Sequence, residues 1–125
     1  MNFDKKNINL ITKLIGQKAV IFDLILNDKT MAAYVIFTRE KTLDQNEMEA
    51  YIKAAPAGFV GHTVKVLATH TEFEVIEGPA VESVVLLEFP TMDAAKAWYY
   101  SPEYKKALEH RLKGGVYRCA IVKGV

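Results

Sequence analysis

Cysteine is almost missing from this chain, with Cys119 standing alone among 125 residues. A single thiol excludes an internal disulfide and fits a reducing compartment, so the fold must rest on a packed core. Long apolar runs are missing too. No stretch approaches the ~20 consecutive apolar residues that span a bilayer, and no membrane association is expected. After Lys5 and Lys6, the residues Asn9, Thr12, Lys13, Gln17 and Lys18 interrupt any leader-like run, which points to a cytoplasmic location. Neither sign of charge dominates: 16 basic against 15 acidic side chains leave a net charge of +1. Such a balance lacks the electrostatic footprint of a nucleic-acid binder, and no basic-aromatic strand motif accompanies it. There is no glycine-rich phosphate loop, no Gly-x-Ser-x-Gly elbow and no cysteine pair. Nucleotide binding, serine hydrolysis and thiol redox chemistry therefore lack support, and no cofactor is implied.

What is present is ordinary globular material, half hydrophobic and a quarter charged, enough for one domain with its own core. Residues 1–31 differ in texture from the rest. Ile8, Ile11 and Ile15 fall at helical spacing, and Val20, Phe22, Leu24 and Leu26 alternate as in a strand. Met31 resembles a second start. The division expected is an N-terminal extension over 1–31, adding a helix and a strand, and a domain over 32–125.

Within that domain, Tyr34 and Ile36 alternate with Val35 and Phe37, a strand over 33–39. Asp44 and Glu47 form a capping-box-like start to a helix whose apolar face runs Met48, Tyr51, Ile52, Ala55, Phe59. Pro56 should kink or end it. Val64 to Thr69 alternates as a half-buried strand, and Phe73 to Ile76 is expected to be extended. Ser83 to Phe89 is apolar on both faces, the mark of a central strand. Pro90 ends that strand and Thr91 caps a short helix carrying Trp98 and Tyr99. Ser101-Pro102 breaks the helix and starts another, which Gly114-Gly115 ends. Val116 to Lys123 is the last strand, in which Cys119 is expected to be a buried small hydrophobe.

Strand, helix, strand, strand, broken helix, strand is the ferredoxin-like split β-α-β order: an α+β protomer with both helical elements on one face of a four-stranded antiparallel sheet. The other face would be bare yet apolar. Burying about 700 Å² of it, at ~25 cal/mol/Å², is worth on the order of 17 kcal/mol and exceeds an association cost near ~10 kcal/mol, so a homodimer is expected.

Ala33-Tyr34, Tyr51 with Ala54-Ala55-Pro56, Glu77-Gly78, Glu88-Phe89-Pro90, Ala97-Trp98-Tyr99, Ser101-Pro102-Glu103-Tyr104, Arg111 and the ending Val122-Lys123-Gly124-Val125 together resemble the bacterial family catalogued as domain of unknown function 1330. The resemblance runs over 32–125 and implies membership of the dimeric α/β-barrel superfamily, with a ferredoxin-like protomer pairing into a barrel-like dimer. It implies no established reaction. The chain departs from the family pattern at His70-Thr71-Glu72, where a Gly-Gly or similar pair is typical, and at Gly61-His62-Thr63-Val64-Lys65.

The candidate catalytic residues are Glu88, His62 and Arg111. Glu88 shares a strand face with Val84 and Leu86, so it needs a cationic partner (Arg39, Arg111 or Arg118) or serves as a general base at a pocket rim. Tyr34, Trp98, Tyr99 and Tyr104 are candidate ligand-binding residues, although aromatics at helical spacing are more often core. No metal site is expected. His62 and His70 lie about 25 Å apart at ~3.3 Å per residue along one strand, and His110 sits in a helix's last turn, where a cation is favourable anyway. The functional expectation is a protein that binds or transforms a small hydrophobic molecule without a cofactor, oxygenase- or isomerase-like. The alternative is a non-catalytic dimeric binding or stress-related protein.

Overall fold

A computed structural model describes residues 31–125; the helix and strand expected within 1–30 lie outside the described residues. Strand β1 (Ala33–Thr42) occupies the middle of a four-stranded sheet. Its alternation decides its two faces: Ala33, Val35 and Phe37 are buried toward the helices, while Tyr34 and Ile36 face away and are half-buried. Asp44 caps α1 (Gln45–Ala54) by accepting from the backbone N–H groups of Asn46 and Glu47. The expected capping box forms only by half. The Glu47 carboxylate turns to His110 Nδ1 at 2.6 Å, and the Asp44 N–H donates to the Gly114 carbonyl at 3.1 Å. Pro56 ends the α-helix as expected, in a 3-10 turn over Ala55–Phe59.

Strand β2 (Lys65–Ala68) is shorter than the expected 64–69 and largely exposed, with a register shift against β3 between Val66 and Ala68. The segment 73–76 joins no sheet. Strand β3 (Ser83–Phe89) pairs with both β1 and β2. The Thr91 hydroxyl caps α2 (Met92–Tyr99), accepting from Ala94 N at 3.0 Å. Ser101 caps α3 (Pro102–Gly114), and β4 (Gly115–Lys123) follows without a loop. The sheet order is β2-β3-β1-β4, with every pair antiparallel. This is a ferredoxin-like α+β fold.

Trp98 is the hub of the core at 1% exposure. Its ring lies 4.2 Å from Tyr104, 5.2 Å from Phe89 and 5.6 Å from Phe59, centroid to centroid, with Phe37 edge-on at 6.2 Å. Where α3 ends, its last turn comes close to the start of α1. A Cβ at Gly114 would stand 2.8 Å from Met48 Sδ and 2.9 Å from Met48 N, so only glycine permits this approach. On the far side of the sheet no helix packs among the described residues. Register places Tyr34, Ile36 and Thr38 of β1 beside Val84, Leu86 and Glu88 of β3 and Arg118, Ala120 and Val122 of β4.

Candidate functional site

Helix α1 packs mainly on α3 and hardly touches the sheet. Its ten residues end at Ala54, where the 3-10 turn carrying Pro56 begins, and β2 is only four residues long. The gap left between α1, the 3-10 turn and the helix-side face of the sheet is a cavity of about 310 Å³. Rings form its walls: Phe37 from β1, Tyr51 from α1, Phe59 from the 3-10 turn, Trp98 from α2, Tyr104 from α3 and Tyr117 from β4. Val66 and Ile52, both close to half exposed, lie with His70 on the open side.

The polar groups of this region are few and tightly arranged. Tyr51 and Tyr104, both lining the cavity, meet hydroxyl to hydroxyl at 2.9 Å. Arg111, 3% exposed, lies behind that pair. Its guanidinium carbon stands 5.0 Å from the Phe37 ring centroid and 4.8 Å from that of Tyr117, distances at which ring quadrupoles attract a cation. Arg111 Nη2 donates to the Tyr99 hydroxyl at 3.4 Å, and its charge also acts on the neighbouring Tyr104 hydroxyl. No carboxylate pairs with Arg111 among the described residues. Its Nε and the indole Nε1 of Trp98 are buried without a hydrogen-bond partner there.

Burial dominates the titration of this cluster. It pushes the Tyr51 hydroxyl far above the ordinary phenol range, with the neighbouring Tyr104 adding to the effect. Burial also raises Tyr104, but Arg111 opposes it. For Arg111 burial works against the charge, and the surrounding Tyr104, Tyr51 and Tyr99 oxygens outweigh it, so the guanidinium stays protonated. At neutral pH the cluster is thus a buried cation facing neutral hydroxyls.

The residues singled out from sequence divide between the two faces of the sheet. Arg111, Trp98, Tyr99 and Tyr104 come together on the helix side. Glu88 and Tyr34, cross-strand neighbours, lie on the other. Glu88 is within 3.8 Å of Lys65 Nζ rather than an arginine. Arg39 lies 3.3 Å from Glu82, without hydrogen-bond alignment, and Arg118 pairs with Glu40. His62 sits in the turn after the 3-10 segment, outside the cavity wall. Cys119, expected inside, is exposed, because β4 is the outermost strand of the sheet.

Sequence reasoning passed over Tyr51, Tyr117 and His70 as site residues. Tyr51 was visible as one apolar-face position of α1 and as part of the family-like block with Ala54-Ala55-Pro56, but not as a polar group of a site, and nothing in the strand pattern marked Tyr117. His70 has a clearer signal. Its φ of 48° lies in the left-handed region, which glycine enters freely and histidine at a cost. That is a backbone reason for the Gly-Gly pair of the family pattern, and here a titratable side chain stands in its place beside the cavity. Among the described residues no three His, Cys, Asp or Glu side chains gather as a metal site, and no helix is long and apolar enough to cross a membrane.

Fold and cavity together define a small ferredoxin-like α+β domain with an aromatic-lined pocket under α1. A protein of unknown function from Rhodopseudomonas palustris has the same fold, with a TM-score of 0.60 and 19% identity over 87% of this chain and 94% of its own. Two dimeric ferredoxin-like proteins of unknown function also match. The one from Thermobifida fusca has a TM-score of 0.53 and 14% identity over 74% of this chain and 91% of its own. The one from Bacteroides fragilis has a TM-score of 0.51 and 16% identity over 75% and 96%. No curated protein matches the chain significantly. The chain belongs to the family described as domain of unknown function 1330, whose pattern it matches over residues 32–125.

Proposed function

We propose that this protein is a homodimer that binds a small, mainly apolar molecule in the cavity beneath α1. The observation that carries the reading is the cavity itself: about 310 Å³ of space walled by six aromatic rings and backed by a buried cation. Natural ligand pockets begin near ~300 Å³, and a cavity of roughly 150 Å³ already takes benzene, so the occupant is a compact one- or two-ring molecule or its aliphatic equivalent. The reaction class these groups match is isomerase-like proton transfer without a cofactor, since a hydroxyl pair beside a fixed positive charge can stabilise a developing oxyanion.

Support for the dimer comes from the sheet face turned away from the helices, where Tyr34, Ile36, Val84, Leu86 and Val122 form an apolar surface on which no helix packs among the described residues, and from the two dimeric relatives in fold. Trp98 is the only tryptophan of the chain and lines the cavity, so its emission reports occupancy directly. Titration with small aromatic probes should shift that emission saturably, and native mass spectrometry should find a co-purifying small molecule. A protein that leaves Trp98 emission unchanged with every probe, and carries no molecule from its host, would end the reading.

A further inference from the structure

A buried cation needs an account of its counter-charge. Arg111 is almost fully enclosed and has no carboxylate partner among the described residues. Isolated charge in a protein interior is costly, and ring faces with hydroxyl dipoles offset only part of that cost. The two rings that the guanidinium faces, Phe37 and Tyr117, set at 88° to each other, are themselves cavity walls, so the charge stands behind residues that line the open space. The Tyr104 hydroxyl bonds the Tyr51 hydroxyl and lies within the electrostatic reach of Arg111, which holds its ionisation lower than burial alone would. The cation thus acts on a bonded pair of hydroxyls whose side chains both line the cavity.

Resting on the reading of this cavity as a ligand site, we propose that its occupant binds as an oxyanion: a compact apolar molecule with one acidic phenolic or enolic hydroxyl, its oxygen set against the Tyr51–Tyr104 pair in front of Arg111. The anion is taken up from solution, its proton already lost to water, and no bond is made or broken in binding. Single-oxygen recognition follows from the donors. Phenol hydroxyls each offer one hydrogen, whereas a carboxylate is best held by the two-pronged guanidinium itself, and Arg111 does not line the cavity.

The test is a chemical-shift titration of the full chain with four probes of similar size: toluene, phenol, the more acidic 4-cyanophenol, and benzoate. Affinity should rise in the order toluene, phenol, 4-cyanophenol, with the last at least ~10-fold tighter than toluene, about 1.4 kcal/mol. Benzoate should be weaker than 4-cyanophenol. Tyr51→Phe, checked for an unchanged melting transition, should erase the preference for the phenols while leaving toluene binding in place. Toluene equal to 4-cyanophenol, benzoate the tightest, or a phenol preference that survives Tyr51→Phe in the folded variant would each overturn the oxyanion and leave the cavity as an apolar site. Binding of none of the four would overturn both readings. Should Tyr51→Phe fail to fold, the order of the four probes on the unchanged protein decides alone.

Discussion

Tyr51 is the residue in which burial and chemistry are hardest to separate. Its hydroxyl is shut away with Tyr104 and near Arg111 and Tyr117, and burial raises its pKa far above the reference value of 10.0. The unfolded chain ionises this phenol near pH 10 and the folded chain does not. Above that point the unfolded state holds fewer protons, so stability that is complete below pH ~10 is lost as pH rises, at about 1.4 kcal/mol per pH unit for this group. Urea unfolding between pH 9 and 11 should therefore show a decline that Tyr51→Phe makes shallower by that amount; parallel declines would mean the hydroxyl is solvated. At His70 the backbone itself is strained, with φ at 48°. His70→Gly relieves ~1–2 kcal/mol of left-handed strain and adds ~0.5–1 kcal/mol of unfolded-state entropy. A net gain of about 0.5 kcal/mol should raise the melting temperature by ~2–4 °C. A lower melting temperature would mean that the His70 side chain contributes more than its backbone costs.

Among the elements, the break between α2 and α3 depends on one hydroxyl. Ser101 Oγ donates to the Trp98 carbonyl at 2.7 Å and accepts from the Tyr104 N–H at 3.2 Å, closing one helix and opening the next while 7% exposed. Both helices thereby hand an aromatic to the cavity wall, Trp98 from the end of one and Tyr104 from the start of the other. Ser101→Ala should cost about 2 kcal/mol, more than an exposed cap, because the Trp98 carbonyl and the Tyr104 N–H both lose a buried partner. Urea midpoints would show it; a loss under ~0.5 kcal/mol would mean that water reaches the break. The cavity is likewise a consequence of elements rather than of any one residue. It exists because α1 leans on α3 and stops at Ala54, while β2 stays short.

For the whole molecule the sheet face turned away from the helices is decisive. With Ile36 at the centre of that face on β1, Ile36→Lys should convert a particle of twice 14.0 kDa into one of 14.0 kDa in sedimentation at micromolar concentration. A variant that sediments unchanged would place the dimer contact elsewhere. The proposed division between residues 31 and 32 is also a property of the whole chain. Among the described residues the core cluster around Trp98 is built within 32–125, so a fragment of those residues should melt cooperatively, and a fragment that aggregates or melts without a transition would show the division to be false.

The sequence by itself determined the order of elements, because that information is local. Asp44, Thr91 and Ser101 cap their own helices, Pro56 and Pro90 remove donors at fixed places, and the period-2 pattern of 33–37 assigns each side chain to a face. The family resemblance was legible for the same reason, in short blocks such as Ser101 to Tyr104. Which polar groups meet was decided only in three dimensions. Glu88 and Arg111 are both conspicuous in the sequence, yet a sheet stands between them. Tyr51, 53 residues from Tyr104 along the chain, shares a hydrogen bond with it. Sheet register and the tilt of α1 set those distances through the summed packing of many side chains. No local pattern encodes that sum, so the cavity and the charge behind it became visible only with the fold.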